Sequence, residues 1–394
     1  MPVFRTPFFR AYGFWHWGEG FQTVLFTWYM AFHANLTPSQ IGFFQALVLS
    51  PFLILTVFGG ALTDRIGARL SYGSATMLFA AILFSYGLID HLYGFVPHLF
   101  FVYCLAAGVV SAISNPAIDT FIPEATPHSV QTNTLTAANA HNIAKLTGTL
   151  TGLALPVLLA LGGFALNGLL MVLSVLSLRA HRRPKPAIPN TAPPRLTLAR
   201  IRAHYRTTPE NFDILLSSGL LGLIIVPVGY ILFPLVLRAR FPEASNLFAL
   251  LGICSWIGAI TATTLATRLS PRITHPGRLA LTIWAIYGLG LLLLLGVNSF
   301  PALCLCVMGF GTVKLGKALV YGTYLANCAD TERGLFVAID QTAFWGLATL
   351  GTAGLGALVD LIGLNPTILI ASFAVLTGTA CLALRAPIRR ITPA

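Results

Sequence analysis

Runs of about twenty apolar residues follow one another along the whole 394-residue chain, each closed by turn residues or by charge. Leu279–Val297 and Pro366–Leu384 contain no Asp, Glu, Lys or Arg. At roughly 1.5 Å per residue, a helix of that length crosses the ~30 Å hydrocarbon core of a bilayer. Inside lipid the backbone must satisfy its own hydrogen bonds, so the choice is between helices and a closed barrel. The strict alternation of barrel strands is missing. The pattern predicts an all-α membrane protein with twelve transmembrane helices at 11–33, 40–62, 70–89, 97–116, 136–159, 163–179, 212–236, 247–267, 279–297, 301–324, 335–358 and 366–384. The first run follows Arg5 and Arg10 as a signal peptide would, but it is too long, holds Glu19 and lacks a small-x-small cleavage site, so it is read as a retained span.

Only 9% of residues are charged, against about 25% in soluble proteins. The net charge of +12 is explained by Lys and Arg in loops that stay cytoplasmic, so no nucleic-acid partner is expected. The six cysteines form no CxxC pair and are read as small packing residues, with neither metal nor disulfide. No GxxxxGK[ST], HExxH or GxSxG is present, so an ATP-driven pump and a hydrolase have nothing to build on, and neither an enzyme nor a cofactor is expected.

Placing the N-terminus inside puts nineteen Lys and Arg residues on one face and only Arg238 and Arg240 on the other, while Lys145, Lys314 and Lys317 lie within spans. That asymmetry predicts both termini in the cytoplasm. The longest loop carries eight basic residues between Arg179 and Arg206, five prolines, and no acid before Glu210. Its first part reads as an extended linker. Leu196–Tyr205 reads as a basic amphipathic helix on anionic lipid, with a docking site for a soluble partner as the alternative. The organisation expected is a six-helix half at residues 1–180, a linker at 181–209 and a second six-helix half at 210–394.

Between the second and third spans stands Gly59-Gly60-Ala61-Leu62-Thr63-Asp64-Arg65-Ile66-Gly67-Ala68-Arg69. Gly60 permits close helix approach, Gly67 a tight reversal, and Asp64 accepts hydrogen bonds from arginines or a helix N-terminus. The spacing G-x-L-x-D-R-x-G-x-R resembles the cytoplasmic signature of the major facilitator superfamily. That resemblance implies gating roles for Gly60, Asp64, Arg65, Gly67 and Arg69, which latch two halves together on the cytoplasmic side. The matching place in the second half keeps Arg268 but has Thr267 in place of the acid. Asn115-Pro116-Ala117, Phe121-Ile122-Pro123-Glu124, Asn142-Ile143-Ala144-Lys145 and Gly18-Glu19-Gly20 are similar to the enterobactin-exporter-like branch. Its helix-five glycine–proline signature is replaced by Gly148-Thr149-Leu150-Thr151-Gly152, which has no proline.

A charge inside the bilayer costs at least ~2.5–3.5 kcal/mol, so intramembrane ionisable residues mark a watery cavity. They are His16 and Glu19 in the first span, His141 and Lys145 in the fifth, Lys314 and Lys317 in the tenth, and Asp340 in the eleventh. Spans three, six, nine and twelve hold no Lys, Arg, Asp or Glu in their interiors. The resemblance independently places those four on the outside. Glu19 and Asp340, with His16 and His141 as relays, are candidates for proton coupling; a carboxylate in a partly dry cavity suits a proton carrier. Glu19 as a structural partner of Lys145 or Lys317 is the alternative. Lys145, Lys314 and Lys317 are candidate charges for an anionic substrate, with Gln22, Asn142, Tyr321, Gln341 and Trp345 as further lining. Trp15 is a candidate for stacking on it, whereas Asp90 and Asp360 read as solvated turn residues.

The expected protein is a monomeric, proton-coupled secondary transporter in a bacterial inner membrane, in contact with lipid, working by alternating access. A small anionic or amphipathic solute, exported as a siderophore-like metabolite or drug, is the first choice. Proton symport importing an organic anion is the alternative, and a transporter-like sensor without flux is the second.

Overall fold

The first helix begins where the side chain of Thr6 accepts the Phe9 amide at 3.2 Å and Pro7, which has no amide proton to lose, takes the first helical position. The computed structural model describes residues 6–122, 125–127, 130–179, 198–269, 273–328 and 333–391, and side chains within 56–66 lie outside that description. The helices are α1 (Pro7–Trp28), α2 (Pro38–Ile66), α3 (Ala68–Tyr93), α4 (Pro97–Asp119), α5 (Val130–Thr151), α6 (Leu155–Arg179), α7 (Leu198–Thr207), α8 (Pro209–Leu220), α9 (Phe233–Arg240), α10 (Phe248–Leu269), α11 (Pro276–Leu293), α12 (Phe300–Gly311), α13 (Val313–Ala326), α14 (Arg333–Ile362), α15 (Leu364–Leu384) and α16 (Ala386–Arg389). No strand occurs among the described residues.

Several of these elements are pieces of one membrane-length rod. A π-helical turn, Tyr29–His33, extends α1, and two more join α8 to α9 as Pro209–Arg240. The helices α12 and α13 meet at Thr312 and continue one another. Conversely, Leu159 breaks α6 with φ 56°, a backbone region that bulky residues avoid, so the apolar stretch Asn139–Arg179 is two spans rather than one. Counted as rods of membrane length, the described chain has twelve; nine stretches meet length and hydropathy criteria for crossing a membrane, and one of them, Asn139–Arg179, contains two rods.

The chain divides into two compact units, Met1–Pro186 with Glu243–Ile253, and Ala187–Pro242 with Cys254–Ala394. In the first, α1 is the axis, packed between α5 and α6 and buried along nearly its whole length. Glycines allow this crossing. A Cβ on Gly148 would overlap the Trp17 carbonyl, and one on Gly20 would lie 2.9 Å from Lys145 Cα. In the second unit, the Pro209–Arg240 rod holds the centre against α14 through Gly222 and Gly351. Asp213, fully buried, pairs with Arg385 and accepts the Ile388 amide at 3.2 Å, tying α16 to α8.

Large apolar side chains stand exposed along α3, α6, α11 and α15, including Leu78, Leu88, Leu169, Leu176, Leu289 and Phe373. Such continuous apolar surface suits lipid and not water. The short α7 forms within the loop read as a linker. It turns aromatic residues onto the second unit: His204 stacks on Phe336 with ring centroids 3.8 Å apart, and the Tyr205 and Tyr324 hydroxyls are 3.0 Å apart. Burial pushes the Tyr205 hydroxyl up to about 12, so it stays neutral. Arg202 and Arg206 remain exposed on α7, while the proline-rich stretch 180–197 lies outside the described residues.

One turn residue is misread by sequence. Asp90 is only 5% exposed, because α3 runs on to Tyr93 and carries it against the tail of α1. There the Tyr29 hydroxyl donates to Oδ1, and His33 Nε2 lies 3.1 Å from Oδ2.

Candidate functional site

The ionisable residues inside the spans do not stand apart; each unit assembles its own. In unit 1, the middle of α1 brings His16 and Glu19 onto one face, three residues apart. His16 Nδ1 and Lys145 Nζ, from α5, both lie 2.9 Å from Glu19 Oε2. Asn115 of α4 approaches the other carboxylate oxygen at 3.5 Å and accepts the Trp15 indole proton at 2.7 Å. The His141 ring packs on His16 at a centroid distance of 4.2 Å, and Tyr12 does so from the other side at 4.3 Å. His16 Nε2 is buried with no hydrogen-bond partner, a donor or acceptor left in reserve. Glu19 and Lys145 keep 26% and 19% side-chain exposure, so water or a solute reaches the pair.

The second unit pairs its charges differently. Lys317 Nζ of α13 lies 3.0 Å from Asp340 Oδ2 of α14, while the Ser218 hydroxyl of α8 donates to Oδ1. Asp340 is fully buried and held from two sides. Lys317 also sits 4.3 Å above the Phe344 ring. Lys314 stands 3.7 Å over the Trp256 ring, from α10, at an exposed position. Tyr321 stacks on Tyr324 at 5.8 Å, and Trp345 packs edge-on to Phe344 at 5.0 Å. Gln341 is half-buried beside this group.

Sequence reasoning counted three intramembrane lysines against two acids and left the balance for a ligand. Each acid instead has a lysine bonded to it, and the remaining lysine, Lys314, leans on an indole face. Two lining candidates are spent within unit 1. Gln22 donates to the Tyr103 hydroxyl and accepts from Asn167, and Trp15 is 1% exposed, so neither presents a free face to a solute. Asn142 is exposed beside His141. Ser218, Asn115, Tyr12 and Trp256 were not singled out as site residues. The one signal was polarity in apolar runs, as at Ser217-Ser218 and Asn115-Pro116.

Of the gating candidates, Gly67 carries φ 86°, the conformation that a one-residue reversal between α2 and α3 requires and that a side chain would strain. Arg69 donates from Nη2 to the Leu178 and Arg179 carbonyls, each at 2.7 Å, and so caps α6 of its own unit. Arg268 is exposed near the end of α10. Gly60 lies within α2, and the side chains of Asp64 and Arg65 lie outside the described residues.

Twelve membrane-length rods among the described residues, with ion pairs inside them, define a multi-pass membrane protein. The chain belongs to the major facilitator superfamily, whose family model matches residues 11–348, and it is a transporter rather than an enzyme. Solved structures agree on the fold. A D-xylose-proton symporter superposes with TM-score 0.76 at 15% identity, covering 98% of this chain and 99% of its own. The nucleoside transporter NupG gives 0.73 at 14% identity, covering 96% and 97%. A POT family transporter in complex with a thioalcohol-conjugated peptide gives 0.76 at 13% identity, covering 97% and 95%. At these identities the likeness speaks for fold alone. No curated protein sequence matches the chain significantly.

Proposed function

We propose that the chain is a proton-coupled secondary transporter of a small organic anion, working by alternating access, with Glu19 as the proton carrier and Lys145 as the charge that meets the substrate. The carrying observation is the 2.9 Å contact between a partly exposed carboxylate and a partly exposed ammonium. While the pair is closed, Lys145 has its anion already. A proton on Glu19 removes that anion and frees the ammonium for a substrate carboxylate. Conversely, a bound substrate anion on Lys145 loosens Glu19 and favours its protonation. Linkage makes the two effects equal, so proton and anion bind together, which is the logic of symport. His16 shares the same oxygen of Glu19 and packs on His141, giving the proton a path of two imidazoles.

Asp340 is the less suited of the two acids. It has no exposure, a hydroxyl on one oxygen and Lys317 on the other, and its role in this reading is to position Lys317. Within the second unit, Lys314 and Lys317, with Tyr321, Gln341 and Trp345, form a separate group of candidate solute contacts. We read both termini as cytoplasmic, in a bacterial inner membrane, and the excess of arginine on one set of loops supports that orientation.

A second reading has a specific support. Asn115, from the stretch similar to the enterobactin-exporter-like branch, is bonded to Trp15 and approaches Glu19. Export of a siderophore-like metabolite or drug by proton antiport would run through the same cluster, but proton and substrate would then compete. Proteoliposomes separate the two readings. With organic acids as substrates, an acidic exterior should drive accumulation inside for symport, and efflux alone would support antiport.

A further inference from the structure

Away from both ion pairs, unit 1 carries a groove of about 720 Å³ between the start of α3 and the end of α6, walled by Leu70, Gly73, Met77 and Val175 with Arg69 and Arg179 among its lining residues. The two helices are in tight contact further along, where a Cβ on Gly87 would lie 2.8 Å from Phe164 and one on Gly168 2.9 Å from Phe84. At the groove, by contrast, a Cβ on Gly73 would meet only Val175 Cγ1, at 3.9 Å. The slot is open because residue 73 has no side chain. Leu70 is 62% exposed and Met77 38%, and both continue into the apolar faces of α3 and α6 that suit lipid.

The mouth of the slot is positive. Arg179 is exposed in the last turn of α6, and none of the described lining residues is acidic. The C-terminal end of a helix ordinarily repels an anion through its free carbonyls. Here Arg69 covers the carbonyls of Leu178 and Arg179 at 2.7 Å, which removes that repulsion. A guanidinium fork matches phosphate oxygens, and an open apolar slot at the same depth matches an acyl chain.

We propose that this groove binds an anionic phospholipid, with its phosphate at Arg179 and one acyl chain along Leu70, Met77 and Val175. A zwitterionic lipid would fill the slot equally well but would bring no net charge to the mouth. Basic pockets between spans at the headgroup level favour anionic lipids on this ground.

Native mass spectrometry of the full-length chain in mild detergent tests this, using phosphatidylglycerol and phosphatidylcholine of identical chains, and glycerol 3-phosphate as a chainless probe. The wild-type chain should retain phosphatidylglycerol about fivefold over phosphatidylcholine. Gly73→Leu fills the slot without altering charge, and Arg179→Gln removes charge from an exposed position that should leave folding intact. Each should bring phosphatidylglycerol down to the phosphatidylcholine level. Equal retention of the two lipids by the wild-type chain would overturn the proposal. So would a monodisperse Gly73→Leu chain that holds phosphatidylglycerol as the wild type does, since the lipid would then sit on other basic residues. Displacement of the lipid by glycerol 3-phosphate would also overturn it, by making the site one for a free phosphate. Should Gly73→Leu not fold, undiminished retention by Arg179→Gln decides against it alone.

Discussion

Lys145 Nζ and His16 Nδ1 share one oxygen of Glu19, each at 2.9 Å, so a single protonation at that carboxylate breaks two contacts on two different helices. The proposed proton switch at Glu19 rests on that arrangement. Asp340, by comparison, is fully buried and held by Lys317 on one oxygen and a buried serine on the other.

Replacing Glu19 with Gln removes the titrating group while keeping its size. Gradient-driven accumulation of an organic anion in proteoliposomes should be lost, whereas exchange of labelled for unlabelled anion at equal concentrations should persist. Accumulation at the wild-type level would assign coupling elsewhere.

Lys145→Ala should weaken binding of an anionic solute at least tenfold, since a charge-assisted hydrogen bond contributes about 1.5–3 kcal/mol. Binding of a neutral analogue should change much less. Isothermal titration against both ligands checks the difference, and equal losses for both would point to a packing defect.

Asp340→Ala removes a fully buried carboxylate and leaves the partly exposed Lys317 ammonium without its anion, a change that costs about 1–3 kcal/mol. The thermal midpoint in detergent should fall sharply, and Lys317→Met added to Asp340→Ala should recover most of the loss. A stable single variant would contradict the role assigned to this pair.

Tyr29→Phe deletes the hydroxyl that donates to buried Asp90. One unmade hydrogen bond at a buried carboxylate predicts a loss of about 1–3 kcal/mol in unfolding free energy, measurable in denaturant titrations. A value near zero would mean that Asp90 is satisfied without it.

The architecture was legible because hydropathy and loop charge are local and additive, and a run such as Leu279–Val297 has only one stable solution in lipid. The signature around Asp64 and Gly67 pointed to the same family that residues 11–348 match. What sequence could not decide was pairing. Glu19 had two candidate lysines, Lys145 and Lys317, and only the crossing of α1 and α5 at Gly20 and Gly148 selects the first. Gln22 reads as lining because it is polar within a span, and Trp15 as an aromatic for stacking, yet Tyr103, Asn167 and Asn115 from other helices bond to them. Asp90 was misplaced by a few residues of helix length, enough to move a carboxylate from solvent to a tyrosine and a histidine. The exposed groove at Gly73 had no sequence signal, since it depends on how two helices diverge.

The claim that proton and anion bind together through Glu19 and Lys145 is tested most directly by proton stoichiometry on binding. Purified protein in weak buffer near neutral pH, with an indicator dye, is mixed with a panel of organic acids at matched pH. Any acid that binds should draw about one proton from solution per molecule bound, and Glu19→Gln should abolish the uptake. Proton release on binding, or uptake unchanged in Glu19→Gln, would contradict the account.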